Sequence, residues 1–222
     1  MRDLLRRPAS PGPLADLEAA AEPARDTPVA ELELVALDLE TTGLDPRRHE
    51  VLSVGWVPVR GGEVVLGGAR HLPVRPRGNV GDSAVVHGLT DDALASAPTL
   101  EEVLPEVVTA LIGPGPVRRV LVAHFSRVET TFLGAACREA WGAPLRVPVV
   151  DTLEVERRLL RGTPHAAGAV RLDACRVRHG LPRYRAHSAV VDAIACAELF
   201  LAQCAVLEER LGRPVVLGDV RS

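Results

Sequence analysis

The sequence predicts one α/β domain, built on a mixed sheet whose first three strands run antiparallel and whose faces are covered by helices. Three observations lead there. Short apolar runs of strand length open the ordered chain at 34–39, 51–57 and 63–66, and Gly61-Gly62 between the last two is a hairpin signal. From Thr99 onward, segments of helical periodicity alternate with further short apolar runs, which after an antiparallel opening describes a mixed sheet. Finally, 47% of the 222 residues are hydrophobic but only 3% aromatic, enough for a sizeable core made of Val, Leu and Ala, without requiring a second domain.

Taken in order, residues 1–30 are rich in Ala and Pro and read as a disordered tail, apart from a short helical stretch around Leu14 to Glu22. The domain proper is expected over 31–211, with 212–222 as a C-terminal extension. After the three strands, Thr90 caps a short helix beginning at Asp91. Thr99 and Glu102 then form a capping box for a second helix, whose Leu100, Val103, Leu104, Val107, Val108 and Leu111 share one face and which Pro105 should bend. The strand-like run 119–123 leads into a helix ending near Trp141. A short strand at 147–150 precedes a helix from Asp151-Thr152 to Leu160. Leu172 to His179 is helical and stopped by Gly180 and Pro182, and a long last helix runs from about Ser188 to Leu211.

Composition excludes several function classes. A formal charge of -3 argues against a protein coated in basic surface, and all 26 basic residues are Arg. Any cationic phosphate contact is therefore a guanidinium fork. Cys137, Cys175, Cys196 and Cys204 have no metal-ligand spacing and read as small buried hydrophobes of a reducing compartment. No secretory apolar segment and no run long enough for a bilayer are apparent, so a cytoplasmic protein without a membrane partner is expected.

Within the first strand, Asp38 and Glu40 interrupt an apolar pattern and, two residues apart, leave the same face. No Arg lies within five residues of the pair to offset their repulsion. A hard divalent cation would offset it; a solvated acidic edge strand is the alternative. The same question arises at Asp192, a lone carboxylate followed by Ala193-Ile194-Ala195-Cys196-Ala197 on the last helix. His187 enters that helix five residues earlier, where an imidazole titrating near neutrality can serve as general base for water.

The order Asp38-Leu39-Glu40-Thr41-Thr42-Gly43, then His124-Phe125-Ser126-Arg127-Val128-Glu129 opening a middle helix, then His187 and Asp192 opening the last, resembles the DEDDh branch of the DnaQ-like 3′–5′ exonucleases. This family includes the proofreading subunit of bacterial DNA polymerase III. The resemblance spans about residues 31–205. It implies a ribonuclease H-like fold, two Mg²⁺ or Mn²⁺ ions on Asp38, Glu40, Asp192 and Glu129, and His187 as the base. It also implies Thr41 and Thr42 beside the terminal nucleotide, with His87 and Leu89 in the segment near its base and sugar. Two departures stand out. Glu129 occupies the usual Asp position, where a helix-dipole role competes with metal binding, and Phe125 and Val128 replace the usual Asn and Phe.

The implied reaction is two-metal hydrolysis of the 3′-terminal phosphodiester of DNA or RNA, releasing nucleoside 5′-monophosphates. Single-stranded 3′ ends are the expected partner, together with a DNA polymerase. The competing class is a catalytically weakened module that binds nucleic-acid ends or a polymerase. Between Arg157 and Arg185, eight arginines face one acid, Asp173. Arg183 and Arg185, in the loop that delivers His187, are the candidate phosphate contacts.

Overall fold

In the computed structural model, which describes residues 11–222 except His165, Ala167, Ala186 and the side chain of Val86, the strands are β1 (Glu33–Thr41), β2 (Val51–Arg60), β3 (Glu63–Val64), β4 (Arg70–Pro73), β5 (Val120–Ala123) and β6 (Val149–Asp151). The helices are α1 (Pro13–Ala19), α2 (Ala84–His87), α3 (Asp91–Leu94), α4 (Leu100–Ile112), α5 (Arg127–Trp141), α6 (Thr152–Leu159), α7 (Leu172–Arg178), α8 (Ala189–Leu211) and α9 (Leu217–Val220). They form one mixed sheet, ordered β3-β2-β1-β5-β6, with β4 also paired to β2. β2 pairs antiparallel with β1, β3 and β4, whereas β1–β5 and β5–β6 are parallel.

Period-two alternation along β1 builds both faces of the core. Val35, Leu37 and Leu39 join one cluster with Leu104, Val107, Val108 and Leu111 of α4 and Phe132 and Leu133 of α5. Leu34 and Ala36 join the other, with Val155 of α6 and Ala197 and Phe200 of α8. Asp38 and Glu40 continue this second row, so the two carboxylates emerge on the α8 side. Local signals act as anticipated: Thr90 accepts from Ala93 N–H, the Thr99/Glu102 box is formed, and Gly61 and Gly62 supply the two positive φ angles of the hairpin. The α4 helix continues through Pro105.

Several expectations need correction. The boundary at residue 31 does not hold for the described part of the tail. Leu14 and Leu17 of α1 are fully buried in the α4 cluster, and the Arg118 guanidinium donates to Leu17 O and to Glu22. Two leucines contribute about 1.5–3 kcal/mol each on burial, part of an anchor that the composition of 1–30 obscures. Residues 1–10 lie outside the described residues. The stretch 212–222 is likewise packed, with Val215, Leu217 and Val220 buried in the second cluster. The third strand is shorter than read, 63–64, and β4 takes over the rest of the β2 edge. By length and composition α8 is apolar enough to cross a membrane, with mean hydropathy 1.9. In the fold it packs against β1, β2 and β5.

Candidate active site

The β1 strand carries Asp38 and Glu40 to its C-terminal end, where the pairing register with β2 slips between Glu40 and Thr41. Such an irregularity re-aims side chains at a strand end. The residue paired with Asp38 is Gly55. A Cβ on Gly55 would lie 2.1 Å from the carbonyl carbon of Ala189 and the nitrogen of Val190, so the first turn of α8 rests directly on the bare backbone of β2. That close approach sets Asp192 beside the β1 acids. The Asp192 carboxylate accepts the backbone N–H of His187 at 2.7 Å, and His187 takes the left-handed conformation, φ 69°. One ligand-capable atom from each of Glu40, His187 and Asp192 falls within 4.8 Å of the others.

Glu129 reaches the same place from the first turn of α5. It is 2% exposed and its Oε2 has no hydrogen-bond donor among the described residues. Burial raises the Asp38 carboxyl well above the carboxylate range, and Glu129, Asp192 and Glu40 raise it further. Glu40 is pushed up to about 7 by burial and then by Asp192. Burial raises Asp192 as well, against the backbone N–H groups of His187 and Ser188. Glu129 is raised mainly by burial and further by Asp151. Four carboxyls that resist ionisation, one with an orphaned buried oxygen, form a donor set that fits hard divalent cations.

Two cavities share this centre, both lined by Asp38, Leu39, Glu40 and His124. The first, about 660 Å³, adds Arg176, Arg183, Tyr184, His187 and Asp192. The second, about 490 Å³, adds Thr41, Thr42, Leu44, His87 and Glu129. Of the anticipated substrate residues, Thr41, Thr42, His87 and Arg183 therefore line the site. His87 accepts Leu89 N–H at Nδ1, leaving Nε2 buried without a partner. Leu89 instead packs on the small cluster of Leu52, Val80 and Leu94, and Arg185 is exposed without lining either cavity.

Sequence reasoning missed four supporting residues. Gly55 has no local signal, because its conformation is ordinary and only the packing of α8 demands it. Asp151, read as a helix start, caps α6 and also accepts from Phe125 N–H, Ser126 N–H and Ser126 Oγ, fixing the turn before α5 in which Phe125 has φ 67°. His124 contacts Thr152 Oγ1 at 2.8 Å through Nδ1 and Val170 O at 2.9 Å through Nε2; since a carbonyl only accepts, Nε2 carries the proton. Arg176, 3% exposed, binds Pro182 O and Ala195 O and pairs with Glu198, which anchors the loop leading to His187.

Over 177 residues the chain is 30% identical to the PolC-type DNA polymerase III of Thermotoga maritima, covering 79% of this chain but 12% of that protein. With the epsilon subunit of DNA polymerase III from Aquifex aeolicus it shares 28% identity over 181 residues, 79% of this chain and 80% of that one. The fold is similar to the nuclease domain of 3′hExo, a DEDDh family member bound to rAMP, with TM-score 0.65, 17% identity and coverage of 88% and 98%. It is similar also to E. coli Exonuclease I in complex with an oligonucleotide, with TM-score 0.67, 14% identity and coverage of 85% and 42%. The chain spans about an eighth of the PolC-type polymerase it matches. The exonuclease family profile RNase_T matches residues 35–200, through the strand, helix and cavity elements just described, and the chain belongs to that exonuclease family, with the ribonuclease H-like fold of its DEDDh members.

Proposed function

We propose that the protein is a 3′–5′ exonuclease that removes nucleoside 5′-monophosphates from single-stranded 3′ ends. The observation that carries this reading is the convergence of Asp38, Glu40, Glu129 and Asp192 with no ion pair to an arginine among the described residues, and with His187 lining the same cavity. These four carboxylates would hold two Mg²⁺ or Mn²⁺ ions, which when bound act as Lewis acids on a phosphodiester and offset charge at its attacking and leaving oxygens. His187 takes the proton from the attacking water, while Asp192, by accepting the His187 N–H, keeps the imidazole over the centre. Thr41, Thr42 and His87 receive the terminal nucleotide, and the unpartnered Nε2–H of His87 donates to it. Arg183 and Arg185 hold phosphates further along the strand. The epsilon-subunit relative supports a DNA polymerase as protein partner and the cytoplasm as the compartment.

Digestion of matched single-stranded DNA, duplex DNA and short RNA with Mn²⁺, followed by initial rate, tests the reading. Mononucleotide release from the 3′ end is the expected result. Cleavage that persists in EDTA overturns the role of the carboxylates. Strand binding without cleavage under any divalent ion returns the protein to the class of weakened binding modules.

A further inference from the structure

The chain contains six aromatic residues, three Phe, two Trp and one Tyr. Two of them are largely exposed, Phe125 at 42% and Tyr184 at 41%. Tyr184 lines the 660 Å³ cavity together with Asp38, Glu40, His187 and Asp192. Its hydroxyl donates to Glu198 Oε1 at 2.9 Å, and the Arg176 guanidinium sits 4.5 Å from the ring centroid. Arg176 is itself fixed by Pro182 O, Ala195 O and Glu198. The ring is thus held in one place before any ligand arrives, with one face taken by the guanidinium.

The flanking residues add a second observation. Arg183 and Arg185 bracket Tyr184, and neither guanidinium has a partner among the described residues. Cation, ring, cation repeats the alternation of phosphate and base along a single strand. We infer that Tyr184 is a stacking platform for a nucleobase of the substrate strand, on the 5′ side of the scissile bond, while Arg183 and Arg185 take the adjoining phosphates. Stacking of this kind accepts any base and does not select sequence. The inference rests on the exonuclease reading for the identity of the ligand, and concerns a residue that reading does not need.

Because Tyr184 is the chain's single tyrosine, protein labelled only at the tyrosine Cε positions gives one averaged ring resonance when the ring flips rapidly. In EDTA, titration with an oligothymidylate of about eight nucleotides should move that resonance upfield, whereas an abasic strand of equal length should leave it in place. Tyr184→Ala should weaken the thymidylate strand about 10-fold and the abasic strand hardly at all, and Tyr184→Phe, which keeps the ring, should stay within about 3-fold of wild type. A ring signal that does not move, or equal losses on both strands, overturns the stacking role. Hydrolysis of the p-nitrophenyl ester of thymidine 5′-monophosphate by the wild-type protein with Mn²⁺ is scored in parallel. A still ring with ester hydrolysis rejects stacking alone, and a moving ring without hydrolysis supports stacking while rejecting the catalytic reading.

Discussion

Glu129 and Glu156 are both helix-borne carboxylates, at 2% and 0% exposure, yet their surroundings are opposite. Glu156 receives Arg178 on one oxygen and His179 and Gln203 on the other, at 2.7, 2.9 and 2.8 Å. Burial works to raise its carboxyl, but the bonds from Gln203, His179 and Arg178 outweigh it and hold the group below the ordinary value. Glu129 has no donor on Oε2, and burial leaves it raised. Arg178 and His179 at the end of α7, with Gln203 of α8, satisfy Glu156, and among the described residues no cationic side chain bonds Glu129, Asp38 or Glu40. A buried carboxylate that the chain satisfies is a structural joint. One that it leaves unsatisfied is set up for something the chain does not contain.

The widest separation between the two regions should appear on removing the charge. Asp38→Asn or Asp192→Asn is expected to reduce turnover by on the order of 10³-fold, while the metal-free melting temperature holds or rises. Glu156→Ala should do the reverse, keeping activity per folded molecule but costing about 3 kcal/mol, because Arg178 and His179 lose a buried partner. Equal thermal losses in all three variants would erase the distinction. Gly55→Ala comes next: its methyl must displace the first turn of α8, and a shift of about 1 Å at Asp192 is expected to cost about 10²-fold in rate. Unaltered activity would show that α8 can rest elsewhere on β2.

His187→Ala should lower kcat by about 10²-fold with strand affinity nearly intact. An equal loss in affinity would make His187 a positioning group. The acids also make a thermodynamic prediction. The folded-state value of Glu40, about 7, lies above its ordinary 4.5, so the native state binds the proton more tightly. Stability from this group is complete below pH 4.5 and is lost as pH rises through 7, by up to about 3 kcal/mol. The metal-free melting temperature should fall over that window, and the increase produced by Mn²⁺ should grow over it, since the ion binds the deprotonated form. A Mn²⁺ effect independent of pH would place the ion elsewhere. The smallest effects are expected at Arg183→Ala and Arg185→Ala, each flattening the log–log salt dependence of single-strand binding by about 0.7. If neither changes the slope, the strand follows another path.

The residues that the structure gathers at the candidate site were legible, because each breaks a local pattern: Asp38 and Glu40 within an apolar strand, Asp192 within an apolar helix, His187 at its entry. Elements with their own signals, such as the Gly61-Gly62 hairpin and the Thr99/Glu102 cap, were legible for the same reason. What stayed hidden belongs to packing between distant segments. Gly55 matters only because α8 lies across it, Asp151 only because the turn before α5 comes within reach, and Leu14 and Leu17 only because α4 offers them a face. In the sequence Arg176 is one of eight similar arginines, and its burial alone sets it apart.

The turn at Phe125 separates two tasks that a residue there would otherwise combine. A left-handed backbone favours Gly or Asn, and a bulky side chain is an unfavourable occupant. Here the three hydrogen bonds to Asp151 from residues 125 and 126 secure the turn from outside. Position 125 thereby becomes a socket, whose shape is maintained by a neighbour and whose occupant can be exchanged at modest conformational cost. That position can be refitted with a ring, an amide or a bare glycine while the mounting of α5, and of Glu129 upon it, stays in place.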